Sequence, residues 1–162
     1  MSLRHISLPR GISGDLWLSE MPGRSEPLSA YLETAAKAGI GHLLCLTGDA
    51  EIASKSPDYS ALIAAGNLPL LRHVYAIEDF GTPENPGAFA QWIEQSAVLL
   101  RAGERMVLHC AAGIGRTGTA AHCLLTALGL DKAVAAHLVE AAGSHPETEA
   151  QRAFVEGFVA SV

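Results

Sequence analysis

Apolar and polar residues recur along the chain with two different periods, which predict alternating strands and helices. Nearly continuous apolar runs cover residues 42–47, 70–77 and 105–109. Runs of this kind are typical of strands in a parallel sheet that is covered on both faces. A shorter run at residues 15–19, after a glycine-rich turn, predicts the first strand of the sheet.

Between these strands, apolar residues recur with the helical period. The first helix has a candidate N-cap at Ser25 and ends at Gly39, which Ile40 follows. Its apolar face consists of Leu28, Tyr31, Leu32, Ala35 and Ala36. Further helices are predicted at residues 58–65, 86–102 and 117–128, from the cap Asp131 to about residue 142, and from the break at 143–146 to residue 158. The polar residues 48–57 are predicted to form a loop.

Strands that alternate with helices predict an α/β sandwich in which helices flank a mostly parallel central sheet. The 162 residues, 49% of them hydrophobic, suffice for one domain with one core. We therefore predict a single domain over residues 1–162, with its core at about residues 15–160.

The charge and the cysteines limit the classes of function. A net charge of −6 argues against a protein that binds nucleic acid or membrane surfaces. No apolar run approaches the roughly 20 residues of a membrane span, and the start of the chain lacks the apolar block of a secretory signal. Three cysteines, a small odd number, favour a reducing cytoplasm over a disulfide-bonded protein.

The loop after strand 105–109 carries the most distinctive chemistry. Its glycines let successive N–H groups turn inward around an anion, and the helix that follows directs its positive end to the same point. Arg116 offers a planar fork that matches two phosphate oxygens, and the thiol of Cys110 ionises readily in such surroundings. The predicted phosphate-binding loop comprises Ala111, Ala112, Gly113, Ile114, Gly115 and Arg116.

The same stretch fits a known signature, H-C-x-x-G-x-x-R-[S/T]-G. The matching residues are His109, Cys110, Gly113, Arg116, Thr117 and Gly118. On these residues the chain resembles the cysteine-dependent protein tyrosine phosphatase superfamily, and Ala112 resembles its small dual-specificity branch. The resemblance covers residues 17–158 and implies the fold of a phosphotyrosine phosphatase. A merely structural cysteine would leave Arg116 and the two glycines of the loop unexplained.

The signature assigns a role to each of its polar residues. Cys110 is predicted to attack phosphorus and to hold a phosphocysteine intermediate. Arg116 and the loop N–H groups would stabilise the equatorial oxygens. Thr117 would donate a hydrogen bond to the departing thiolate, bond only to backbone as a residue of the first helical turn, or do both. The resemblance implies that His109 orients the loop and is not a base.

Asp79 is predicted to be the acid that protonates the leaving oxygen. Residues 79–83 read D-F-G-T-P, which resembles the D-x-G-x-P acid loop of these phosphatases. Glu78 stands where many tyrosine-specific relatives have proline, so Glu78 is a second candidate for the acid, or a like charge that favours protonated Asp79. A solvated turn carboxylate is the structural alternative for Asp79.

Two residues have two interpretations each. Thr148 to Gln151 can be a capping box, whereas its resemblance to the E-T-x-x-Q segment of small dual-specificity phosphatases implies that Gln151 places the hydrolytic water. Arg24 is either an exposed surface arginine or a ligand for a second anionic group of the substrate.

The remaining cysteines and histidines indicate no metal site. Cys45 and Cys123 lie in apolar segments and are predicted to be core residues, although some relatives form a protective disulfide with the catalytic cysteine. The other histidines lack zinc-like spacing, so no metal or cofactor is expected. They are His5, His42, His73, His122, His137 and His145.

These observations predict a cytoplasmic protein phosphatase that acts on phosphotyrosine, with phosphoserine and phosphothreonine as further candidate substrates. Phosphate, vanadate or sulfate would bind in the loop. The alternatives are a phosphatase of phosphoinositides, RNA 5′-phosphates or small phosphoesters, a silent phosphopeptide-binding module, and a sulfurtransferase. Uncharged Ala111, Ala112 and Ile114 argue against polyanionic substrates, and a silent module or a sulfurtransferase would not need Asp79.

Overall fold

A five-stranded sheet forms the centre of the fold. The computed structural model describes residues 3–160. The strands are β1 (Arg4–Ile6), β2 (Asp15–Ser19), β3 (His42–Cys45), β4 (Leu71–Val74) and β5 (Arg105–His109). The helices of this part are α1 (Leu28–Lys37), α2 (Asp49–Lys55), α3 (Pro57–Ala64), α4 (Pro86–Arg101), α5 (Gly115–Ala127), α6 (Lys132–Ala141) and α7 (Glu149–Gly157). The predicted domain of residues 1–162 includes residues 1–2 and 161–162, which lie outside the described residues.

The strands lie in the order β1-β2-β5-β3-β4. Strand β1 is antiparallel to β2, and the other three pairs are parallel. The predicted α/β sandwich with a mostly parallel sheet is therefore confirmed. Because β5 is the central strand, Cys110 lies directly beyond its carboxyl end, where open parallel sheets bind ligands.

Strands β3 and β5 are buried on both faces, as their continuous apolar runs predicted, whereas the edge strand β4 exposes Leu71 and Val74. Successive side chains of a strand point to opposite faces. Leu44 and Leu108 pack with residues of α4 to α7, whereas Leu43 and Val107 pack with residues of α1 to α3. The helices thus cover the central strands on both sides and exclude water from them.

Several helix ends follow from local sequence. Asn85 caps α4, its side chain accepting a hydrogen bond from Ala88 N at 3.0 Å, and Asp131 caps α6 by accepting one from Ala133 N at 2.7 Å. The predicted bounds of both helices agree with the structure within one residue. Gly39 ends α1 with a φ of 72°, a left-handed conformation that suits glycine.

Three local predictions are wrong. Residues 48–57 were expected to form a loop, but they include helix α2, whose only buried side chain is Ile52. Ser25 does not cap α1: the N-cap position is Pro27, which has no side-chain donor or acceptor, and Ser25 donates to Glu20 Oε1. The strand at residues 15–19 is the second, because β1 precedes it and pairs with it.

Residues 3–160 lack both a membrane-spanning helix and a group of metal-binding side chains. None of their helices is long and apolar enough to cross a membrane. Their histidine, cysteine, aspartate and glutamate side chains nowhere form a group of three that could hold a metal ion.

Candidate active site

The phosphate loop, residues 110–116, joins the central strand β5 to helix α5. Strands β2 and β3 flank it, since Ser19 and Cys45 are the partners of His109 at the end of the ladder. Cys110 is 2% exposed, and Gly113 N donates a hydrogen bond to its Sγ over 3.3 Å. The backbone of the loop therefore already points an N–H group at the sulfur.

The carbonyl groups of the loop face the surrounding protein and have donors there. Ala111 O accepts from Met21 N at 3.0 Å, and Ile114 O accepts from His145 N at 3.2 Å. Because a peptide group points its N–H away from its carbonyl oxygen, these contacts turn N–H groups toward the interior of the loop.

The carbonyl of Gly113 receives two side-chain donors. Arg4 Nη2 donates to it over 2.5 Å, and Ser144 Oγ donates over 2.6 Å. Gly113 itself has a φ of 74°, and a Cβ there would lie 2.5 Å from Ser19 O. Only glycine fits this position, because a side chain would both strain the backbone and collide with the end of β2.

Helix α5 directs its N-terminus at the loop. No side chain caps its first turn within the described residues, so these N–H groups remain for an anion. Thr117 Oγ1 is buried and has no hydrogen-bond partner within residues 3–160. The interpretation in which this hydroxyl bonds only to backbone therefore does not describe the structure.

His109 lies behind the loop and is fully buried. Its Nδ1 is 2.8 Å from Cys110 O, and its Nε2 is 2.9 Å from the hydroxyl of Tyr59. Both ring nitrogens are therefore occupied by partners that fix the orientation of the ring. This placement supports an orienting role and leaves no nitrogen directed at a substrate.

Arg116 lies at the start of α5 and is 2% exposed. Its Nη1 and Nη2 donate to the two carboxylate oxygens of Glu51, each over 2.8 Å, and Nη1 also donates to Ile77 O at 2.8 Å. The guanidinium hydrogen bonds, and the positive charges of Arg116 and Lys55, lower the pKa of Glu51 to about 2, although burial acts in the opposite direction. The pair thus fixes the plane of the guanidinium in the absence of an anion.

Asp79 faces the same arginine from the acid loop, residues 78–83. Its Oδ1 lies 3.3 Å from Arg116 Nη2, and its side chain is 51% exposed. Phe80 has a φ of 62°, a strained conformation for a residue other than glycine. Glu78 is also exposed, and Gly81 N donates to its carbonyl at 2.8 Å. The structure therefore places Asp79, and not Glu78, in contact with the arginine of the loop.

Gln151 connects helix α7 to the acid loop. The capping box with Thr148 is present, which confirms that interpretation of the sequence. Gln151 Oε1 accepts from Glu147 N at 2.7 Å, and its Nε2 donates to Gly81 O at 3.0 Å. Thr148 Oγ1 donates to Phe80 O at 3.3 Å. Both ends of the Gln151 amide are bound to backbone in this conformation, so a role in placing water requires these contacts to open.

The sequence does not predict two residues of the site, Glu51 and Arg4. Glu51 lies in the segment that is predicted to be a loop, and Arg4 belongs to no motif. Glu51 is 65 residues from Arg116, and Arg4 is 109 residues from Gly113. An isolated sequence gives no signal for such distant pairs.

The other candidate residues do not reach the loop. Arg24 pairs with Glu20 at 3.6 Å and is partly exposed. Cys45 and Cys123 are buried and, like Cys110, free within the described part of the chain. His5 lies 3.1 Å from Asp15. The predicted core location of both cysteines is confirmed, and the protective disulfide stays a prediction.

A buried sulfur inside an anion-binding loop, between a central parallel strand and a helix, defines the class of cysteine-dependent phosphatases. Comparison with known families agrees. The sequence model of the family described as "PTP-SAK: Swiss Army Knife protein, DSP-PTPase phosphatase domain" matches residues 18–156. The chain belongs to this family.

Solved structures share the fold over almost the whole chain. Kinase associated phosphatase, with serine in place of its catalytic cysteine, is 21% identical, with a TM-score of 0.81, over 96% of this chain and 92% of that one. A putative protein tyrosine phosphatase from Leishmania major is 17% identical, with a TM-score of 0.71, over 98% of each chain. P. aeruginosa TpbA, in complex with phosphotyrosine, is 14% identical, with a TM-score of 0.62, over 95% and 89%.

One curated relative matches a short segment. Tyrosine-protein phosphatase non-receptor type 61F from Drosophila melanogaster is 44% identical over 50 residues, which are 29% of this chain. The match spans 9% of the length of that relative. The comparison with this relative therefore concerns the shared segment alone.

Proposed function

We propose that the chain is a protein phosphatase that hydrolyses phosphotyrosine through a phosphocysteine intermediate. The observation that carries this proposal is the contact between Gly113 N and the buried sulfur of Cys110, 3.3 Å apart, inside a loop whose carbonyls face outward. Such a loop binds a phosphate dianion with its phosphorus against the sulfur. Inorganic phosphate, vanadate and sulfate are expected to occupy the same loop.

In the first step the Cys110 thiolate attacks phosphorus. The S–P bond forms as the P–O bond to the tyrosine breaks, and the leaving oxygen takes a proton from Asp79. The loop N–H groups and Arg116 stabilise the charge on the three equatorial oxygens. Arg116 can do so while bound to Glu51, because that contact and the bond to Ile77 O leave Nε and one N–H of Nη2.

In the second step a water molecule attacks the phosphocysteine. The S–P bond breaks, the sulfur leaves as a thiolate, and Asp79, now ionised, accepts a proton from the water. Thr117 Oγ1, buried and without a partner within residues 3–160, supplies a hydroxyl that can donate to the departing thiolate. His109 keeps the first peptide group of the loop in place through its contact with Cys110 O.

Asp79 needs two positions, one beside Arg116 before the substrate binds and one beside the leaving oxygen afterwards. The arrival of a phosphate dianion accounts for the change between them. Asp79 lies 3.3 Å from Arg116 Nη2 in the structure. A phosphate that binds this nitrogen displaces the carboxylate, which can then turn toward the leaving oxygen. Substrate binding therefore releases Asp79 from Arg116 for the first step.

A phosphoinositide or another phosphoester is the second candidate substrate. PTPMT1, solved in complex with PI(5)P, is 13% identical to the chain, with a TM-score of 0.68, over 88% of each chain. Carboxylates outnumber cations in the clefts beside the loop, which argues against a polyanion. One cleft of about 510 Å³ contains Glu51, Glu78 and Glu84, and one of about 410 Å³ contains Glu20 and Glu26 together with Arg4. We therefore propose a singly phosphorylated protein substrate.

Cytoplasmic location is part of the same proposal. A thiolate nucleophile requires a compartment that keeps it reduced. The three free cysteines of the described residues support this requirement.

The decisive experiment replaces Cys110 by serine. Cys110→Ser is expected to abolish turnover of p-nitrophenyl phosphate while vanadate still binds, because a hydroxyl keeps the loop but is a far weaker nucleophile. Cys123→Ser, which changes a buried cysteine outside the loop, serves as the matched control and should remain active. Normal turnover by Cys110→Ser would overturn the mechanism.

A substrate panel then separates the candidates. Phosphotyrosine, phosphoserine and phosphothreonine peptides, phosphoinositides and RNA 5′-phosphates are compared by kcat/KM at one pH. The proposal expects phosphotyrosine peptides to be the best substrates. A higher value for phosphoinositides or RNA would replace it, and loss of activity with excess chelator would indicate a metal enzyme.

A further inference from the structure

Arg4 joins three segments of the molecule from the edge strand β1. Its Nη1 donates to Ala142 O at 2.8 Å and to Ser144 Oγ at 2.9 Å, and its Nη2 donates to Gly113 O at 2.5 Å. Ser144 is fully buried and donates to the same oxygen of Gly113 at 2.6 Å. The guanidinium therefore ties the start of the chain and the α6–α7 turn to the phosphate loop.

These contacts determine the direction of one peptide group. The carbonyl of Gly113 and the N–H of Ile114 belong to the same peptide plane, and they point in opposite directions. Two donors behind the loop hold the carbonyl outward, and the N–H consequently faces the interior. A donor fixed in this way stabilises an anion without reorganisation when the anion arrives.

Arg4 brings a positive charge to the outer side of the loop. Burial lowers the pKa of Arg4, whereas the negative charges of Cys110 and Glu20 oppose that effect. The other guanidinium at the loop, Arg116, pairs with Glu51 and Asp79 and donates to Ile77 O. The two arginines therefore have separate contacts, and it is Arg4 that bonds the backbone of the loop.

The fit around Arg4 is close. Gly143 has a φ of 87°, and a Cβ at that position would lie 2.9 Å from Arg4 Nη1. The turn requires glycine for its backbone conformation, and a side chain there would also displace the guanidinium. Arg4 therefore packs closely against the α6–α7 turn as well as against the loop.

We propose that Arg4 is a positioning residue for the phosphate loop, which holds the Gly113–Ile114 peptide in its anion-binding orientation. The inference rests on the proposed function for its link to catalysis. Arg4 touches no reacting atom in this mechanism, since it bonds the outer side of the loop.

The test measures the loop without turnover. Full-length wild type, Arg4→Met and Arg4→Lys are compared by vanadate titration and by the free energy of unfolding in urea. Arg4→Met is expected to bind vanadate roughly tenfold more weakly, about 1.4 kcal/mol. The free energy of unfolding reports any general loss of structure separately from the loss of vanadate affinity.

Arg4→Lys separates geometry from charge. Lysine keeps the charge but cannot bond Gly113 O and Ser144 Oγ with a rigid fork. It should therefore bind vanadate more weakly than wild type although the positive charge is kept. If Arg4→Met does not fold, Arg4→Lys decides alone, and wild-type vanadate affinity in this variant overturns the proposal.

Arg105→Met is the matched control. Arg105 also donates to a backbone carbonyl, Ala38 O at 2.6 Å, but at the opposite end of β5 from Cys110. It should leave vanadate affinity unchanged, and equal losses of vanadate affinity in Arg4→Met and Arg105→Met would refute the proposal. Lack of phosphatase activity in wild type would refute the proposed function alone, because both readouts are independent of turnover.

Discussion

The phosphate loop and the acid loop face the same arginine, but the protein holds them in different ways. The phosphate loop is mostly buried, and its carbonyls have donors from β1, from Met21 after the end of β2, and from the α6–α7 turn. The acid loop is exposed at Glu78, Asp79 and Phe80. Its main contacts with the rest of the protein are those with Arg116 and with the side chains of Thr148 and Gln151 at the start of α7.

The two loops differ because they have different tasks in the proposed mechanism: one binds the phosphate and the other supplies the proton. An anion site is most effective when its donors are fixed before the anion arrives, because no binding energy is then spent on reorganisation. An acid must approach the leaving group after the substrate has entered, which favours a loop with few contacts. We infer that the phosphate loop is pre-organised and that the acid loop moves. The following substitutions test this contrast.

The largest effect is expected from Arg116→Lys, which changes the group between the loops. A lysine ammonium cannot bond both oxygens of Glu51 and two oxygens of phosphate in one plane. We expect kcat/KM for p-nitrophenyl phosphate to fall about 10³-fold, near the upper range for one transition-state donor. Arg72→Lys, which changes an arginine paired with Asp49 at 3.2 Å, is the matched control. A loss below tenfold would contradict the assigned role.

Asp79→Asn tests the mobile side of the comparison. Removal of a general acid costs typically 10²-fold to 10⁴-fold, and most for poor leaving groups. We expect kcat to fall about 10²-fold for phosphoserine peptides and less for p-nitrophenyl phosphate. The decrease of activity toward high pH that an acid causes should also disappear. Glu78→Gln is the control, and the same losses in that variant instead would assign the acid to Glu78.

The elements that sequence predicted well have strong local signals. Strand β5 and helices α4 and α6 have continuous apolar runs, full helical periods or capping side chains, and their bounds agree closely with the structure. The signature likewise named Cys110 and Arg116, because the loop is short and its residue types are fixed. Local chemistry of this kind is visible in one sequence.

The elements that sequence missed depend on distant contacts. Helix α2 buries only Ile52, so its seven residues show no apolar period. Strand β1 has three residues and is defined by its pairing with β2. The same reason hides Glu51 and Arg4, whose partners lie far along the chain. Supports of the phosphate loop are therefore less predictable than the loop itself.

Glu51→Gln tests how much the support of Arg116 contributes. A neutral amide keeps the shape but loses the charge of a bidentate pair. We expect kcat/KM to fall roughly tenfold, less than in Arg116→Lys, because Arg116 retains its bond to Ile77 O. Without the charged pair the orientation of the Arg116 guanidinium should be less defined. Vanadate affinity should therefore fall together with kcat/KM.

The same variant makes a prediction about pH. The pKa of Glu51 is lowered from 4.5 to about 2, chiefly by its hydrogen bonds with Arg116. A lowered pKa stabilises the fold above the unfolded value and loses that effect as the pH falls. Wild type should therefore exceed Glu51→Gln in unfolding free energy at pH 7, and the difference should shrink between about pH 4.5 and pH 2. A constant difference in urea titrations would contradict the pairing.

Gln151→Met should have the smallest effect and would show how the acid loop is held. Methionine keeps the length of the side chain but removes the bonds to Gly81 O and to the N–H groups of the cap. If Gln151 mainly holds the acid loop, kcat should fall only a few-fold while vanadate affinity stays unchanged, since only the bond to Gly81 O reaches that loop and one lost neutral hydrogen bond costs about 1 kcal/mol. Gln95→Met, in a different helix, is the control. If Gln151 places the hydrolytic water instead, the phosphocysteine intermediate should accumulate in rapid-quench experiments, because only its breakdown needs that water.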